Sequence, residues 1–249
     1  MKAHVAAIVI ALIHLVLAVV YSVETPYRTP GQLMGQFDPQ TRQHARVPDV
    51  GAPDERQHAN YVQHLISGQG FPVFQANDFE NYESHQSPAY YVLAAGFAKV
   101  VGVQDVAQQE GIRLRWLNAL VGFGTVLGVY FLAYWGFQSR WIATGAAAFA
   151  GFLPMLCALD GAISNDPLLY FGLTWTVALL AKAMRDGWDW KLVIWIGLAA
   201  GLSLNTKTTA LVAFPTLVFA AFIGKRPPVS MVFGAIAIAA LLAAPWVRR

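Results

Sequence analysis

The sequence predicts an all-α integral membrane protein with about seven transmembrane helices and a large first external loop that carries surface helices. Hydrophobic residues make up 56% of the 249 residues and charged residues only 12%, whereas soluble domains carry about 25% charged residues. Long apolar runs recur, and a helix of about 20 apolar residues crosses a hydrocarbon core roughly 30 Å thick. These features exclude a soluble enzyme, a coiled coil and a disulfide scaffold, and no basic stripe indicates nucleic-acid binding.

The predicted spans follow the apolar runs in chain order. The first run, Val5–Val23, is predicted to be an uncleaved anchoring helix, because no small-residue cleavage site follows it. A polar segment of mostly loop character extends from Glu24 to Pro88. Six later runs complete the set: Trp116–Phe137, Trp141–Leu159, Leu168–Met184, Leu192–Leu204, Leu211–Ile223 and Val229–Trp246.

The run Ala89–Val103 is short and contains Lys99, so it is either a short span or a helix on the membrane surface. Loop charge favours the surface helix. If this run does not cross, the short basic loops fall on the cytoplasmic side, as the positive-inside bias requires. Those loops contain Arg140, Lys182, Arg185, Lys191, Lys225 and Arg226. We therefore expect one membrane domain over residues 1–249, with an external loop at 24–112 and a helical bundle at 113–249.

Two acidic clusters lie in that external loop. Asp54 and Glu55 begin a predicted helix, where a carboxylate either caps the helix, favoured by its dipole, or acts as a general base. Glu83 and His85 directly precede Pro88 and the surface helix. Together they are candidates for binding a divalent metal ion or sugar hydroxyls, and the alternative is a solvated loop.

Two further polar turns are predicted on the same side of the membrane. Asp166 lies in the turn Ile163–Pro167, a sequence that is also typical of a helix start. Lys207 lies in the segment Asn205–Thr209, between two apolar runs. Its ammonium either extends to the interface or holds a phosphate. The predicted topology thus places these candidate site residues together on the external face of the membrane.

Taken in order, these segments resemble the C-type membrane glycosyltransferases, and in particular the protein O-mannosyltransferase and aminoarabinose transferase group. The resemblance is carried by the Asp-Glu pair, by Glu-Ser-His-Gln-Ser-Pro at residues 83–88, and by four later features. These are Arg115 at the head of the second span, Asp166-Pro167, Thr206-Lys207 and Pro245-Trp246. Aminoarabinose transferases have Glu-Lys-Pro where this chain has residues 83–88, so its acceptor or donor is expected to differ.

The resemblance implies a glycosyltransferase of the inner membrane with its active face external or periplasmic. It would transfer a sugar from a polyprenyl-phosphate carrier to a protein, lipid or glycan acceptor by inverting displacement. Asp54 would be the general base, Glu55 and Asp166 would support it, and Arg115 and Lys207 would bind the donor phosphate. Glu83 and His85 would then bind sugar or, for Glu83, a divalent metal ion, with no other cofactor.

Two other interpretations stay open from the sequence. One is a transporter or flippase of lipid-linked sugar, although such proteins tend to place ionisable residues at mid-membrane on paired repeats. The other is an inactive truncated fragment. Members of the resembled group are longer, with further spans and an external domain, and we therefore expect this chain to correspond to an N-terminal portion.

Overall fold

The computed structural model describes residues 4–27, 34–46, 52, 54–75, 78–222 and 229–247. The fold is helical, as predicted, with one small addition. The α-helices are α1 (Val5–Glu24), α2 (Glu55–Ile66), α3 (Ala89–Val101), α4 (Arg115–Phe137), α5 (Arg140–Gly151), α6 (Pro154–Asp160), α7 (Asp166–Asp186), α8 (Trp190–Leu204), α9 (Ala213–Phe222) and α10 (Val229–Val247). Short 3₁₀ helices cover Phe79–His85, Gln109–Leu114 and Thr208–Val212. The addition is an antiparallel hairpin of β1 (Met34–Asp38) and β2 (Gln43–Arg46) in the first loop, which the sequence analysis did not predict.

Each predicted span corresponds to a helix or a helix pair, but the helices differ in length. Within the described residues, α1, α7 and the continuous segment Gln109–Phe137 are long and apolar enough to cross a membrane individually. The pair α5 and α6 would make a fourth span. The helices α3, α8 and α10 and the segment Thr208–Phe222 are apolar but shorter. The protein is therefore a multi-pass membrane protein, and the number seven stays a prediction.

The predicted continuous span Trp141–Leu159 is wrong in one respect, because it bends by 62° between α5 and α6. Pro154 begins α6, and a proline has no N–H to continue the hydrogen bonding of the preceding helix. The His14 imidazole on α1 donates from Nδ1 to the Gly151 carbonyl at the end of α5, at 2.9 Å. His14 Nε2 also lies 2.8 Å from Asp160 Oδ2 on α6. One buried imidazole thus joins both sides of the bend.

Helix α4 lies at the centre of the bundle, packed against α1, α5 and α7, while α8 packs between α7 and α10. Glycines on α4 permit the close approach. A Cβ at Gly122 would lie 2.2 Å from Asp160 Oδ2, and one at Gly124 would lie 2.7 Å from the Phe171 ring. Small residues at helix interfaces are typical of membrane bundles, where packing drives association.

The first loop packs onto one end of this bundle. Tyr61 on α2 and Tyr91 on α3 stack with ring centroids 3.6 Å apart, and both side chains are buried. Their apolar cluster continues into Leu114, Leu117 and Ile163 at the head of the bundle. The loop helices therefore hold their polar residues directly above the ends of α4, α7 and α8.

Candidate active site

The predicted site residues meet at the end of the bundle that the first loop covers. The Ala89 N–H donates to the Asn205 carbonyl at 2.9 Å, which joins the start of α3 to the end of α8. The Asn165 side-chain amide lies 3.4 Å from the Thr206 carbonyl, which joins the start of α7 to the same segment. Residues from three separate segments thus share one polar region.

Glu55 and Arg115 form a buried ion pair in this region. The guanidinium Nε donates to Glu55 Oε1 at 2.7 Å, and a terminal nitrogen donates to Oε2 at 2.6 Å. Both side chains are 0% exposed. The Ile163 N–H also donates to Glu55 Oε1 at 2.9 Å. The carboxylate therefore fixes α2 to α4 and to the turn before α7.

The remaining donors of Arg115 point to the end of α1. They reach the carbonyls of Ser22 at 2.6 Å, Thr25 at 3.0 Å and Pro26 at 2.7 Å. The guanidinium also lies 5.2 Å from the Tyr27 ring centroid. An arginine has five N–H donors, and this arrangement directs them to protein acceptors. The geometry therefore gives Arg115 and Glu55 a structural role, and it argues against the predicted contact between Arg115 and a donor phosphate.

Lys207 and Asp166 form a second ion pair, and it is partly open to solvent. The Lys207 ammonium donates to Asp166 Oδ1 at 2.6 Å, and each side chain is 27% exposed. Lys207 follows α8, and Asp166 is the first residue of α7. An ammonium has three donors, and this contact uses one of them.

Asp54 lies just outside α2 with an exposed side chain. Its φ is 63°, in the left-handed region that residues other than glycine rarely adopt. No N–H of α2 donates to its side chain, so the alternative interpretation as a helix cap is not supported. Such backbone strain, about 1–3 kcal/mol, tends to persist at functional sites. The neighbouring Glu55 is buried, so the two adjacent carboxylates have opposite environments.

Glu83 is the buried carboxylate of the site, 4% exposed. Its Oε2 atom has no hydrogen-bond partner within the described structure. Burial raises the pKa of Glu83, and the negative charge of Asp54 acts in the same direction. The positive charges of His85 and Lys207 oppose this rise in pKa. The charges of Asp54, His85 and Lys207 therefore act on Glu83. We call Glu83, Asp54, Lys207 and the ion-pair partner Asp166 the coupled cluster.

His58 adjoins this cluster and was not among the predicted site residues. Its Nδ1 lies 2.8 Å from the Tyr91 hydroxyl and 3.9 Å from Glu83 Oε2. Burial, together with the positive charges of Lys207 and His85, lowers the pKa of His58 to about 3. The imidazole is therefore neutral at physiological pH. The signal in the sequence was its place one helical turn after Asp54, on a face shared with the apolar residues of α2.

His85 points to solvent rather than into the cluster. Its Nδ1 donates to the Tyr82 carbonyl at 2.7 Å. The ring makes edge contacts with Phe74 and Tyr82, at centroid distances of 5.7 and 5.0 Å. Both aromatic partners are exposed. The structure thus separates Glu83 from His85, which the sequence predicted to act together. Glu83 is buried, whereas His85 belongs to a surface aromatic patch with Phe74 and Tyr82.

Comparison with known proteins shows the family to which the sequence belongs. The family model for dolichyl-phosphate-mannose-protein mannosyltransferase matches residues 58–226, which is more than half of the chain. The chain belongs to this mannosyltransferase family. The predicted resemblance is thereby confirmed. A comparison with curated proteins gives no match.

Two solved structures share the C-type fold of this mannosyltransferase-family chain. One is the oligosaccharyltransferase AglB of Archaeoglobus fulgidus in complex with an inhibitory peptide and a dolichol-phosphate, with a TM-score of 0.69 at 15% identity. It is matched over 98% of this chain and 29% of that chain. The other is the oligosaccharyltransferase of the same organism in the apo form, with a TM-score of 0.66 at 14% identity. It is matched over 96% of this chain and 29% of that chain. The present chain thus spans less than a third of the length of these proteins.

The predicted metal site of this mannosyltransferase-family chain is incomplete in the described residues. No group of three His, Cys, Asp or Glu side chains there is placed to hold a metal ion. Glu83 Oε2 lies 3.9 Å from His58 Nδ1, and His85 directs its Nδ1 to a carbonyl. Mg²⁺ is commonly bound through one or two carboxylates, with water and substrate phosphates as its other ligands, so Glu83 stays a predicted ligand of a sugar or of a metal ion.

Proposed function

We propose that the protein transfers a sugar from a polyprenyl-phosphate carrier to an acceptor at the external face of the membrane. The observation that carries this proposal is the coupled cluster of Asp54, Glu83, Asp166 and Lys207 at one end of a membrane bundle. It combines an exposed carboxylate, a buried carboxylate and a half-buried ammonium. Family membership supports sugar transfer, and the dolichol-phosphate in the AglB complex supports a lipid-linked donor.

Lys207 is assigned to the phosphate of the carrier. When the glycosidic bond breaks, negative charge develops on the departing polyprenyl phosphate, and a placed cation stabilises that charge. Asp166 holds the ammonium through a 2.6 Å hydrogen bond while leaving it 27% exposed. A phosphate can therefore reach Lys207 without first displacing a buried protein group. At Arg115 it would have to displace the protein acceptors that the guanidinium already binds.

Asp54 is assigned as the general base. It would accept the proton of an acceptor hydroxyl as that oxygen attacks the anomeric carbon. The carbon–oxygen bond to the phosphate breaks, and its electron pair leaves with the carrier. A single displacement inverts the anomeric centre, and no separate nucleophile is required. The exposed side chain of Asp54 suits contact with an acceptor that arrives from solvent.

Glu83 is assigned to the sugar. Its unpartnered buried oxygen can bind a hydroxyl, and the neutral His58 beside it holds no competing charge. The peptide in the AglB complex and membership of a protein mannosyltransferase family support a protein acceptor. The basic residues Lys182, Arg185 and Lys191 lie at the opposite end of the bundle, which supports an external active face.

A transporter or flippase is the second candidate, and one observation favours it. His14 and Asp160 are ionisable and buried, and His14 lies in the middle of α1, as ionisable groups do in many transport pathways. These groups are, however, hydrogen-bonded to each other and to the Gly151 carbonyl at the α5–α6 bend. That geometry suits a packing role, and we therefore rank this candidate second.

The test is a transfer assay on membranes that contain the full chain. Polyprenyl-phosphate [³H]mannose is supplied, and label is followed into precipitable protein and into extracted lipid. We expect Asp54→Asn to lower transfer by about 10²–10⁴-fold. Glu80→Gln is the matched control, because this acidic residue lies in the same loop but pairs with Arg56 at the surface. Full transfer by Asp54→Asn contradicts the base assignment, and no transfer by folded wild-type protein from any carrier-linked sugar contradicts the proposal.

A further inference from the structure

A cavity of about 300 Å³ lies at the end of the bundle opposite the candidate active site. It is formed where α4 and α7 end and α8 begins. Its walls combine tryptophan, leucine and charged side chains. The charged members are Lys182, Asp186, Asp189 and Lys191, and the tryptophans are Trp135 and Trp195. Tryptophan and basic side chains at helix ends are typical of the membrane–water interface, so the cavity lies at the level of lipid headgroups.

Two of the four charged side chains are already engaged by other protein groups. Asp186 accepts hydrogen bonds from the Lys182 ammonium at 2.7 Å and from the Arg185 guanidinium at 2.5 and 2.8 Å. The Lys182 ammonium also lies 5.5 Å from the Trp135 ring centroid, in a cation–π contact. Lys182 and Asp186 therefore hold each other and the cavity wall in place.

The other two charged side chains, Lys191 and Asp189, are not paired. Both are exposed, and no ion pair engages either of them in the part of the chain that the structure describes. Lys191 lies in the first turn of α8, where the helix dipole adds partial positive charge. The Leu192 N–H donates to one of the two Asp189 carboxylate oxygens at 2.8 Å. The cavity therefore offers one cation and one carboxylate, two residues apart, to a ligand.

An apolar groove leads from this cavity along the contact between α7 and α8. Leu179 and Trp195 line both the cavity and the groove, which has a volume of about 430 Å³. The groove continues along α7 as far as Phe171, which is eight residues or about 12 Å of helix from Leu179. That length stays within one leaflet of a hydrocarbon core about 30 Å thick. The cavity and the groove thus form one continuous surface that fits a charged head with a hydrocarbon tail.

We propose that this surface binds one phospholipid with a zwitterionic primary-amine headgroup, of the phosphatidylethanolamine class. The lipid phosphate contacts the Lys191 ammonium, the lipid ammonium donates to Asp189, and one acyl chain occupies the groove. The anionic phosphatidylglycerol would satisfy Lys191 but place negative charge beside Asp189. Phosphatidylcholine carries both charges, but its quaternary ammonium has no N–H to donate to the carboxylate. The inference does not depend on the proposed sugar transfer.

The first test uses the wild-type protein alone. The full chain is purified in detergent, stripped of lipid and titrated with phosphatidylethanolamine, its N,N-dimethyl derivative or phosphatidylcholine, all with the same acyl chains. Native mass spectrometry reports the lipid bound per chain. We expect saturation at one lipid, with phosphatidylcholine bound about threefold to fivefold more weakly than the other two, because it alone lacks an N–H. Equal binding of all three lipids, or binding that does not saturate, overturns the inference.

Two variants separate the headgroup contacts. Asp189→Asn keeps an acceptor for the Leu192 N–H, since asparagine also caps helices well, but it removes the negative charge. We expect it to abolish the preference for phosphatidylethanolamine over phosphatidylcholine. Lys191→Gln should weaken binding of both lipids about threefold to fivefold, because both contain the phosphate. Asp105→Asn is the matched control, since Asp105 accepts the Ala107 N–H at 2.8 Å in the first loop, and it should leave binding unchanged.

A third variant tests the groove. Trp195→Ala removes a wall that the cavity and the groove share, and it should weaken binding of every phospholipid by a similar factor. Thermal unfolding without lipid selects the variants that fold like the wild type, and the headgroup series on wild-type protein decides the question where a variant does not. A preserved headgroup preference in folded Asp189→Asn contradicts the inference. Tighter binding of phosphatidylglycerol than of phosphatidylethanolamine, or unchanged binding in Trp195→Ala, also overturns it.

Discussion

Two ion pairs at the same end of the bundle have nearly the same contact distance and opposite surroundings. Arg115–Glu55 and Lys207–Asp166 both close at 2.6 Å, and both join elements distant in sequence. The first is 0% exposed on both sides, and its donors reach protein acceptors. The second is 27% exposed on both sides. Distance alone therefore does not indicate function, whereas burial and hydrogen-bond saturation do.

The physical reason for the contrast lies in desolvation. A charge removed from water is tolerated only where its hydrogen bonds are replaced, which is the situation of the Arg115 guanidinium. A ligand would have to break those bonds to bind there. The partly exposed Lys207 ammonium keeps part of its hydration, and a ligand displaces water more readily than it displaces a protein acceptor. The saturated pair therefore stabilises the fold, and the open pair is suited to binding.

Glu55→Gln tests the structural pair and should have the largest effect. It leaves the Arg115 guanidinium buried without its counterion, and breaking a buried pair costs about 3–5 kcal/mol. We expect loss of monodisperse protein in size-exclusion chromatography. The double variant Glu55→Gln with Arg115→Met removes both charges and should recover part of the folded protein. Normal folding with selective loss of carrier binding in Glu55→Gln would reverse the assignment.

Asp166→Asn tests the partly exposed Lys207–Asp166 pair. Compared with Glu55→Gln, we expect a smaller effect on folding and a larger direct effect on transfer. A partly exposed ion pair contributes about 1 kcal/mol or less, so the melting temperature should change little. Transfer should fall about 10²-fold, because the Lys207 ammonium loses its orientation toward the phosphate. The measurement is the initial rate of mannose transfer at equal amounts of folded protein. A large drop in melting temperature would place this pair with the structural one.

The buried His58 should make the protein less stable in acid. Its pKa is lowered from 6.5 to about 3 in the fold, so the folded state is favoured above pH 6.5 and loses stability as the pH falls toward 3. The loss is about 1.4 kcal/mol per pH unit in that window. His58→Gln should flatten the acid limb of melting temperature against pH. An unchanged acid limb would contradict this account, and Glu83 could not replace His58 in it, because a raised pKa stabilises the fold as the pH falls.

The exposed pair Arg56–Glu80 completes the series and should have the smallest effect. Its atoms lie 2.7 Å apart, but the side chains are 39% and 53% exposed. Surface pairs typically contribute about 0.5 kcal/mol or less. Glu80→Gln should therefore leave both melting temperature and transfer close to those of the wild type. A marked loss of transfer would extend the site to the outer surface of α2.

The helices were predictable because apolar runs determine which segments enter a membrane. The breaks within these helices, such as the bend between α5 and α6, were harder to predict. Pro154 was visible in the sequence, but a proline either bends or merely adjusts a membrane helix. The contacts across the bend come from His14, which is distant in sequence and bonds the Gly151 carbonyl and Asp160. The first-loop hairpin was missed because its residues do not alternate clearly between polar and apolar.

The site was predictable as a set of residues but not as a set of roles. Adjacent Asp54 and Glu55 look equivalent in sequence, yet successive helical positions point in different directions. Only the packing of Arg115 against the end of α1 decides that Glu55 is the buried one. Glu83 and His85 separate for the same reason. The sequence placed His58 one helical turn after Asp54, but its contacts with Tyr91 and Glu83 across the loop could not be predicted.

The most direct test of the central claim is a thermal shift with polyprenyl phosphate on three purified proteins. These are the wild type, Lys207→Ala and the matched control Lys182→Ala, whose ion pair with Asp186 closes at 2.7 Å at the opposite end of the bundle. Saturable stabilisation of the wild type and Lys182→Ala, with its loss in Lys207→Ala, is the predicted result. Equal stabilisation of all three proteins, or loss in Lys182→Ala alone, would contradict the assignment of the half-buried pair to the carrier phosphate.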